Sequence, residues 1–169
     1  MINEILAYSG EYRAANLKNI TGREGYGFEF ILMRGDKVLG PVNDWGDGGP
    51  VDALGVKGEE MQILHAHAKQ KHPEFEFELD GLFLANLYGY WDAIKSLKSK
   101  CKKKILVMDE ASAKKDDNGV PLSYSIYSAE PTVENIAKIK KSNPEAIILN
   151  EVLATVDIPK VKVTRPKMR

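Results

Sequence analysis

The residues best suited to bind a charged ligand form a run of lysines between positions 95 and 104. A ridge of ammonium groups is typical of surfaces that bind the phosphates of nucleic acids. Lysines are equally typical of a solvated helix end, where cations interact favourably with the helix dipole. We favour the solvated end and keep the binding interpretation open. Five lysines are therefore candidate binding residues: Lys98, Lys100, Lys102, Lys103 and Lys104.

A second group of polar residues lies in a glycine-rich corner. Asp44, Asp47 and Asp52 surround three glycines, and carboxylates are the ligands that Mg²⁺ and Ca²⁺ prefer. The spacing does not match the calcium-binding loop, which alternates its ligands and closes with a glutamate. Aspartate and glycine are also the residues that tight turns require. We therefore predict a turn without a metal, and take Asp44, Trp45 and Asp47 as candidate contacts for a partner.

The histidines and the cysteine do not have the spacing of a metal site or a catalytic site. His65 and His67 are about 200° apart around a predicted helix, so they cannot bind one ion from the same face. Cys101 is the single cysteine, and the lysines beside it are expected to lower its thiol pKa. The sequence contains no phosphate loop, dinucleotide fingerprint or nucleophile elbow. It predicts no catalytic residues, no cofactor and a protein that is not an enzyme.

A β-hairpin between Gly25 and Pro50 is the element around which the chain is organised. Gly35-Asp36 is a favourable two-residue loop of type II′. It predicts four facing pairs: Met33–Val38, Leu32–Leu39, Ile31–Gly40 and Phe30–Pro41. In this register one face carries Phe28, Phe30, Leu32 and Leu39, and period-2 alternation makes it the core face. Because Pro41 has no N–H for the ladder, its strand should lie at an edge or contain a bulge.

The remaining segments predict an alternation of short strands and helices. In the first half we expect a helix at 3–9, strands at 13–20 and 51–56, a helix at 58–70 and a strand or extended connector at 74–79. In the second half we expect a helix at 82–100, a hairpin of strands 104–109 and 122–128, and helices from 131 to about 140 and at 145–155.

These elements predict an α+β fold. An antiparallel β-sheet built on the central hairpin carries helices on one face and is followed by a smaller ββαα part. The predicted division is 1–72, 73–157 and a basic tail at 158–169.

Composition predicts a cytoplasmic protein without a membrane span. No apolar run approaches the roughly 20 residues that a span needs, the first residues lack the basic start of a signal peptide, and a single cysteine suits a reducing compartment. The net charge is zero, but residues 1–92 hold 8 basic and 15 acidic residues whereas residues 93–169 hold 16 and 9. This asymmetry could steer a partner or draw the two halves together.

Two resemblances bear on function. The segments CKKKILV (101–107), YSIY (124–127) and IILNE (147–151), with the glycine corner after a hairpin, resemble small proteins of unknown function from bacteriophages and prophages. This resemblance implies an origin on a mobile element and supplies no catalytic residues. The order of elements in the first half is similar to that of a double-stranded-RNA-binding domain, a family that binds phosphates with lysines at its second helix. Here that position reads Lys57-Gly58-Glu59-Glu60, and its acids would repel phosphate.

The leading hypothesis is a phage-type accessory protein that binds and inhibits a bacterial host protein. Its most concrete form is an inhibitor of a host defence system, anti-CRISPR or anti-restriction. The first alternative is a nucleic-acid-binding protein that uses the lysines at 95–104 and the basic tail. The second alternative is an enzyme whose site only the fold would reveal. The sequence does not indicate an oligomeric state.

Overall fold

The computed structural model describes residues 1–109, 114–120 and 123–162. The chain forms two compact units. The hairpin unit contains residues 11–91 and the segment from 158 onward, and the lysine unit contains residues 1–10 and 92–157. The predicted division at 72–73 and 157–158 stays a prediction.

The hairpin unit is built on a three-stranded antiparallel sheet. Its strands are β1 (Tyr12–Thr21), β2 (Tyr26–Arg34) and β3 (Lys37–Asp44), in the order β1-β2-β3. The predicted loop joins β2 to β3, because Arg34 pairs with Lys37 across Gly35-Asp36. Gly35 has a φ of 57°, the positive value that the first position of a type II′ turn requires.

The predicted hairpin register is correct for one pair and wrong by one residue beyond it. Met33 faces Val38 as predicted, but the next pairs are Leu32–Gly40, Ile31–Pro41 and Phe30–Val42. The pairs Leu32–Leu39, Ile31–Gly40 and Phe30–Pro41 are therefore wrong.

A β-bulge at Leu39 causes this shift. Gly40 has a φ of 147°, and a Cβ there would lie 2.4 Å from the Cα of Gly55. The backbones of Gly40 and Gly55 therefore approach closely next to the bulge. The bulge removes Leu39 from the predicted pairing with Leu32 and from the predicted core set. Val42, which is fully buried, takes that place. The expectation that the Pro41 strand is an edge strand with a bulge is confirmed.

Two helices complete the hairpin unit on the core face of the sheet. They are α2 (Glu59–Lys71) and the first part of α3 (Leu79–Cys101). Tyr88 of α3 stacks on Phe28, with ring centroids 4.4 Å apart, and lies 6.0 Å from Phe30. An aromatic cluster packs β1, α2 and α3 together. Its rings, those of Tyr12, His67 and Phe83, have centroids 4.9–5.5 Å apart. The α+β class and the packing of helices on one face are as predicted.

One predicted strand of this unit does not form, and the segment predicted as a strand or a connector is a connector. Residues 51–56 contribute a single bridge, between Asn43 and Asp52. Residues 74–78 form turns and bends, and Leu79 already begins α3. The alternation of phenylalanine and glutamate in this segment therefore belongs to a connector, the second of the two predicted alternatives.

The lysine unit contains a smaller sheet and three short helices. Its helices are α1 (Ile2–Ser9), α4 (Val133–Ser142) and α5 (Leu149–Ala154), besides the last part of α3. Its strands are β4 (Ile105–Met108), β5 (Ser125–Tyr127) and β6 (Ile147–Ile148), in the order β5-β4-β6.

The predicted hairpin of this unit is confirmed in its described part, because β4 and β5 are antiparallel; residues 110–113, 121 and 122 lie outside the described ranges. The helix predicted at 145–155 begins only at Leu149. Ile148 instead pairs with Val107 and is buried with Ile105, so its side chain contributes to the core of the small sheet.

The described part of the predicted basic tail contacts β1. The Asn16 side chain donates to the Val161 carbonyl at 2.7 Å and accepts from the Val161 N–H at 3.2 Å. Asn16 has a φ of 54° and lies at a bulge of β1. Residues 163–169 lie outside the described part of the chain. Among the helices of the described residues, none combines the length and the apolar character that crossing a membrane requires.

Candidate functional site

The aspartates of the glycine corner stabilise turns. Asp44 Oδ1 accepts the Gly46 N–H at 2.9 Å, and Asp47 Oδ1 accepts the Gly49 N–H at 3.1 Å. These short-range bonds are the ones by which aspartate fixes a turn. Trp45 between them is 48% exposed, so of the three predicted corner residues it offers the largest apolar contact surface.

The lysine run divides into residues with different roles. Lys98 Nζ donates to the carbonyls of Leu153, at 2.9 Å, and Val156. These carbonyls lie at the end of α5 and just beyond it, and the Leu153 carbonyl also accepts the Val156 N–H at 3.3 Å. Lys98, predicted as a binding residue, therefore holds α5 against α3.

The other lysines lie on the surface near the end of α3. Lys100 Nζ donates to the Tyr124 hydroxyl at 2.8 Å, and it lies 5.5 Å from the centre of that ring. Lys102, Lys103 and Lys104 are exposed in the turn that follows α3. The structure brings three of the five predicted lysines to one shallow cavity of about 300 Å³, which Ser99 and Ile126 also line: Lys100, Lys103 and Lys104.

Lys98 and Lys102 line a different cavity of about 220 Å³, together with Cys101. Burial raises the pKa of the Cys101 thiol, and the opposing effect of Lys98 is smaller. Lys98 acts on this pKa in the predicted direction, but the net shift is upward, because desolvation of the thiolate outweighs the effect of the lysine charge. A raised pKa reduces the thiolate fraction, which is the nucleophilic form.

Asn150 holds the turn that carries the lysines. Its side-chain oxygen accepts the Leu106 N–H at 2.9 Å, and its amide donates to the carbonyls of Cys101 and Lys104 at 3.0 and 2.9 Å. One side chain thus connects the end of α3, the lysine turn and β4. The IILNE segment, which includes Asn150, has a structural role at this point.

The charge asymmetry between the sequence halves does not describe the two units. Counted over residues 1–10 and 92–157, the lysine unit has 11 basic and 11 acidic residues. The hairpin unit, counted over 11–91 and 158–169, has 13 of each. Each unit is therefore formally neutral, and any electrostatic steering must come from local clusters.

A further cavity lies in the hairpin unit, where the sequence predicted no site. It measures about 520 Å³ and is lined by residues 49–51, His65, residues 75–82 and Ala85. We call it the acid–aromatic cavity, because Phe75, Phe77, Glu76, Glu78 and Asp80 all line it.

The connector between α2 and α3 is held in place by polar contacts at its start. Lys69 Nζ donates to the carbonyls of Pro73 and Phe75 at 3.1 and 2.7 Å. The ring of Phe75 lies 6.0 Å from that of His72, whose side chain is buried and whose pKa is lowered by burial. At the other end, Glu78 has a φ of 55° and its carbonyl accepts the Leu82 N–H at 2.9 Å.

The two phenylalanines of the connector remain accessible. Phe77 is 81% exposed and Phe75 is 46% exposed. Around them, Glu76 and Glu78 carry carboxylates with neither an ion pair nor a hydrogen bond to any described residue. Asp80 differs, since its Oδ1 lies 3.1 Å from Nδ1 of His65.

The chemistry of the walls is acidic and apolar. Among the residues that line the acid–aromatic cavity there is no serine, threonine, cysteine, tyrosine, lysine or arginine. Throughout residues 1–109, 114–120 and 123–162, no three histidine, cysteine, aspartate or glutamate side chains converge as metal ligands would. The walls can offer ion pairs, apolar contact and the ring faces of phenylalanine.

One signal in the sequence could have identified this site. The segment EFEFEL alternates cleanly at period 2, which indicates a half-buried strand when the segment has a pairing partner. The flanking segments are helices in the structure, and no strand pairs with it. Without a sheet to cover them, alternating phenylalanines indicate accessible aromatic surface.

Comparison with known proteins found no matching family model, no matching curated protein and no matching solved structure.

Proposed function

We propose that this chain is a non-enzymatic binding protein that docks a partner protein on the acid–aromatic cavity. The observation that carries the proposal is the exposure of Phe77 and Phe75 beside a cavity of about 520 Å³. Exposed aromatic side chains next to a pocket are typical of the residues that dominate binding energy in protein interfaces. The described lining has no serine, threonine, cysteine, tyrosine or lysine, which supports binding over covalent catalysis through these nucleophiles.

The more specific form of the proposal is inhibition of a bacterial host protein. Here the chain acts in the cytoplasm as a phage-type inhibitor of a defence system, anti-CRISPR or anti-restriction. Its support is the resemblance of residues 101–107, 124–127 and 147–151 to phage proteins. A small protein that blocks a larger one needs a contact surface and no chemistry of its own, and the acid–aromatic cavity supplies such a surface.

Affinity capture from a bacterial lysate, with and without nuclease, tests the proposal. Phe77→Ser should abolish the capture of a specific protein. Tyr26→Ser is the matched control, because Tyr26 is an aromatic residue of the same unit with 89% exposure, and this variant should retain the partner. A partner that is lost on nuclease treatment, or lost equally in both variants, would contradict the proposal.

A nucleic-acid-binding function is the second candidate, and a specific observation favours it. Lys100, Lys103 and Lys104 converge on one shallow cavity beside the exposed strand β5. Each lysine–phosphate contact that is lost should flatten the salt dependence of binding by about 0.7–0.9 in slope. The comparison is Lys103→Gln/Lys104→Gln with Lys138→Gln/Lys141→Gln, which removes two charges from α4 instead. Salt-sensitive binding at physiological salt that only the first pair weakens would favour this second function.

A further inference from the structure

We propose that the acid–aromatic cavity receives the cationic side chain of an arginine or lysine, presented by a basic segment of the partner. The inference rests on the proposed function, in which this cavity docks a protein, and it specifies the chemistry of that protein. The evidence comes from the charges, the aromatic rings and the size of the cavity.

The charged side chains that line the cavity are acidic. Glu76, Glu78 and Asp80 line it, and the described lining contains neither lysine nor arginine. His65 is the one lining residue that can become cationic, and its Nδ1 is already within hydrogen-bond distance of Asp80. The carboxylates of Glu76 and Glu78 are therefore left to interact with a ligand, and charge complementarity favours a cation.

Two positively charged features near the cavity oppose the binding of a cation, and both are weaker than the acidic side chains of the lining. The first turn of α3 lines the cavity, and a helix N-terminus carries roughly half a positive charge. The carboxylates of Glu76 and Glu78, which no described residue pairs, outweigh it. Asp80 in that turn offsets it further. The other feature is the Lys69 ammonium, which donates to two connector carbonyls and is not part of the lining.

The phenylalanines favour a cation that also has an apolar stem. A cation over the face of an aromatic ring is stabilised by the ring quadrupole, more strongly when it is desolvated. Arginine and lysine carry a methylene stem that packs on apolar surface while the charged group reaches a carboxylate. Phe75 and Phe77 alternate with Glu76 and Glu78 along the connector, so the lining offers both kinds of contact.

The size of the cavity favours a segment of the partner over an isolated ion. About 520 Å³ lies within the range of sites that hold whole small molecules. A purely apolar segment would cover Glu76 and Glu78 without pairing them, at the cost of desolvating two charges. An acidic segment would be repelled. A basic segment with apolar neighbours satisfies both the rings and the carboxylates.

Nuclear magnetic resonance titration of the full ¹⁵N-labelled chain tests the inference with two probes of nearly equal shape. N-acetyl-arginine amide carries the cation, and N-acetyl-citrulline amide replaces it with a neutral urea. The arginine probe should shift the amide signals of residues 75–82 and saturate, with an affinity about tenfold higher than that of the citrulline probe. Added salt should weaken the arginine probe selectively.

Matched variants test whether the arginine probe binds at the acid–aromatic cavity. Glu76→Gln/Glu78→Gln should reduce arginine binding about tenfold and leave citrulline binding unchanged. Glu59→Gln removes an exposed acid of the same unit that does not line the cavity, and it should change neither. Phe77→Leu should weaken the arginine probe although it keeps apolar surface.

Equal binding of the two probes, or arginine-induced shifts confined to residues that do not line the cavity, would overturn the inference. If arginine and citrulline probes bind equally while Phe77→Ser abolishes capture of a partner protein, the cavity docks that protein by apolar contact. The cationic inference then fails and the proposed function stands. If the arginine probe binds as expected but Phe77→Ser leaves capture unchanged, the proposed function fails and the cation site stands.

Discussion

The lysine run and the acid–aromatic cavity carry opposite charges. They also differ in how many of their charged groups form hydrogen bonds within the protein. In the lysine run, Lys98 donates to carbonyls near the end of α5 and Lys100 donates to Tyr124. In the cavity, Glu76 and Glu78 have no such contacts with the described residues. The lysine run, which has the stronger sequence signal for binding, therefore makes more hydrogen bonds that stabilise the fold than the cavity does.

The difference shows that charge and availability are separate properties. Residue types determine the charge of a segment, whereas nearby backbone carbonyls and hydroxyls determine whether that charge remains available to a ligand. An ammonium with three donors is readily used to satisfy the last carbonyls of a helix. A carboxylate on a connector has such partners only where N–H groups, hydroxyls or cationic side chains converge.

The largest expected effect comes from removing a buried side chain from the core of the hairpin unit. Phe30 is fully buried and packs near Tyr88 of α3, the helix whose first turn lines the cavity. Phe30→Ala should lower the free energy of unfolding by about 3–5 kcal/mol, because it removes buried apolar surface and leaves a void. Chemical denaturation measures the loss.

The control for this prediction is Ile31→Ala on the opposite face of the same strand, where the side chain is only partly buried. It should cost clearly less than Phe30→Ala. Equal losses for the two variants would contradict the assignment of the core face.

The sequence predicted the elements of this sheet better than its register. Turn chemistry at Gly35-Asp36 is local, so the hairpin and its first pair, Met33–Val38, could be predicted. The bulge at Leu39 arises where Gly40 approaches Gly55, fifteen positions further along the chain. No local pattern encodes that approach, and a shift of one residue changes every later pair.

The candidate site was predictable only in part, for a related reason. The lysines could be identified by type, and three of them do line one cavity. The Leu153 carbonyl that accepts the hydrogen bond from Lys98 belongs to α5, more than fifty positions away. The acid–aromatic cavity was missed because EFEFEL has the period of a strand. Its phenylalanines are accessible because no strand of the described sheets pairs with this segment, which the sequence does not reveal.

Lys98→Met should reveal which member of the lysine run is structural. The variant keeps most of the apolar stem but removes the ammonium that donates to Leu153 and Val156. The free energy of unfolding should fall by about 1.5–3 kcal/mol, the range for hydrogen bonds to charged groups. Lys102→Met, an exposed neighbour, should change it by less than about 0.5 kcal/mol. If the two variants have the same stability, the lysine run is a uniform surface patch and the comparison above is wrong.

Glu60 provides a carboxylate that, unlike Glu76 and Glu78 of the cavity, is already paired. Its oxygens accept from Arg34 Nε at 2.9 Å, Arg34 Nη2 at 2.8 Å and Lys37 Nζ at 2.6 Å. The hydrogen bond from Arg34, followed by that from Lys37, lowers the pKa of Glu60 to about 2.

A lowered pKa in the folded state means that this pairing stabilises the protein above the ordinary pKa of about 4.5. The contribution should be lost as the pH falls from about 4.5 through about 2. Thermal unfolding across this range should therefore show a flatter pH profile for Glu60→Gln than for the parent chain. Glu59→Gln, which removes the adjacent and exposed acid, should leave the profile unchanged. An unchanged profile in Glu60→Gln would show that the pairing does not form in solution.

Phe77→Ser should have the smallest effect on stability, and its contrast with Phe30→Ala tests the accessibility of the cavity most directly. Both positions are phenylalanines of the hairpin unit, but Phe30 is fully buried whereas Phe77 is 81% exposed. Because little apolar surface of Phe77 is removed from water on folding, the free energy of unfolding should change by less than about 0.5 kcal/mol. Chemical denaturation of the same chain that is used for capture measures it. A loss above about 2 kcal/mol would mean that Phe77 is buried in solution, and its loss of partner binding would then report unfolding instead of a lost contact.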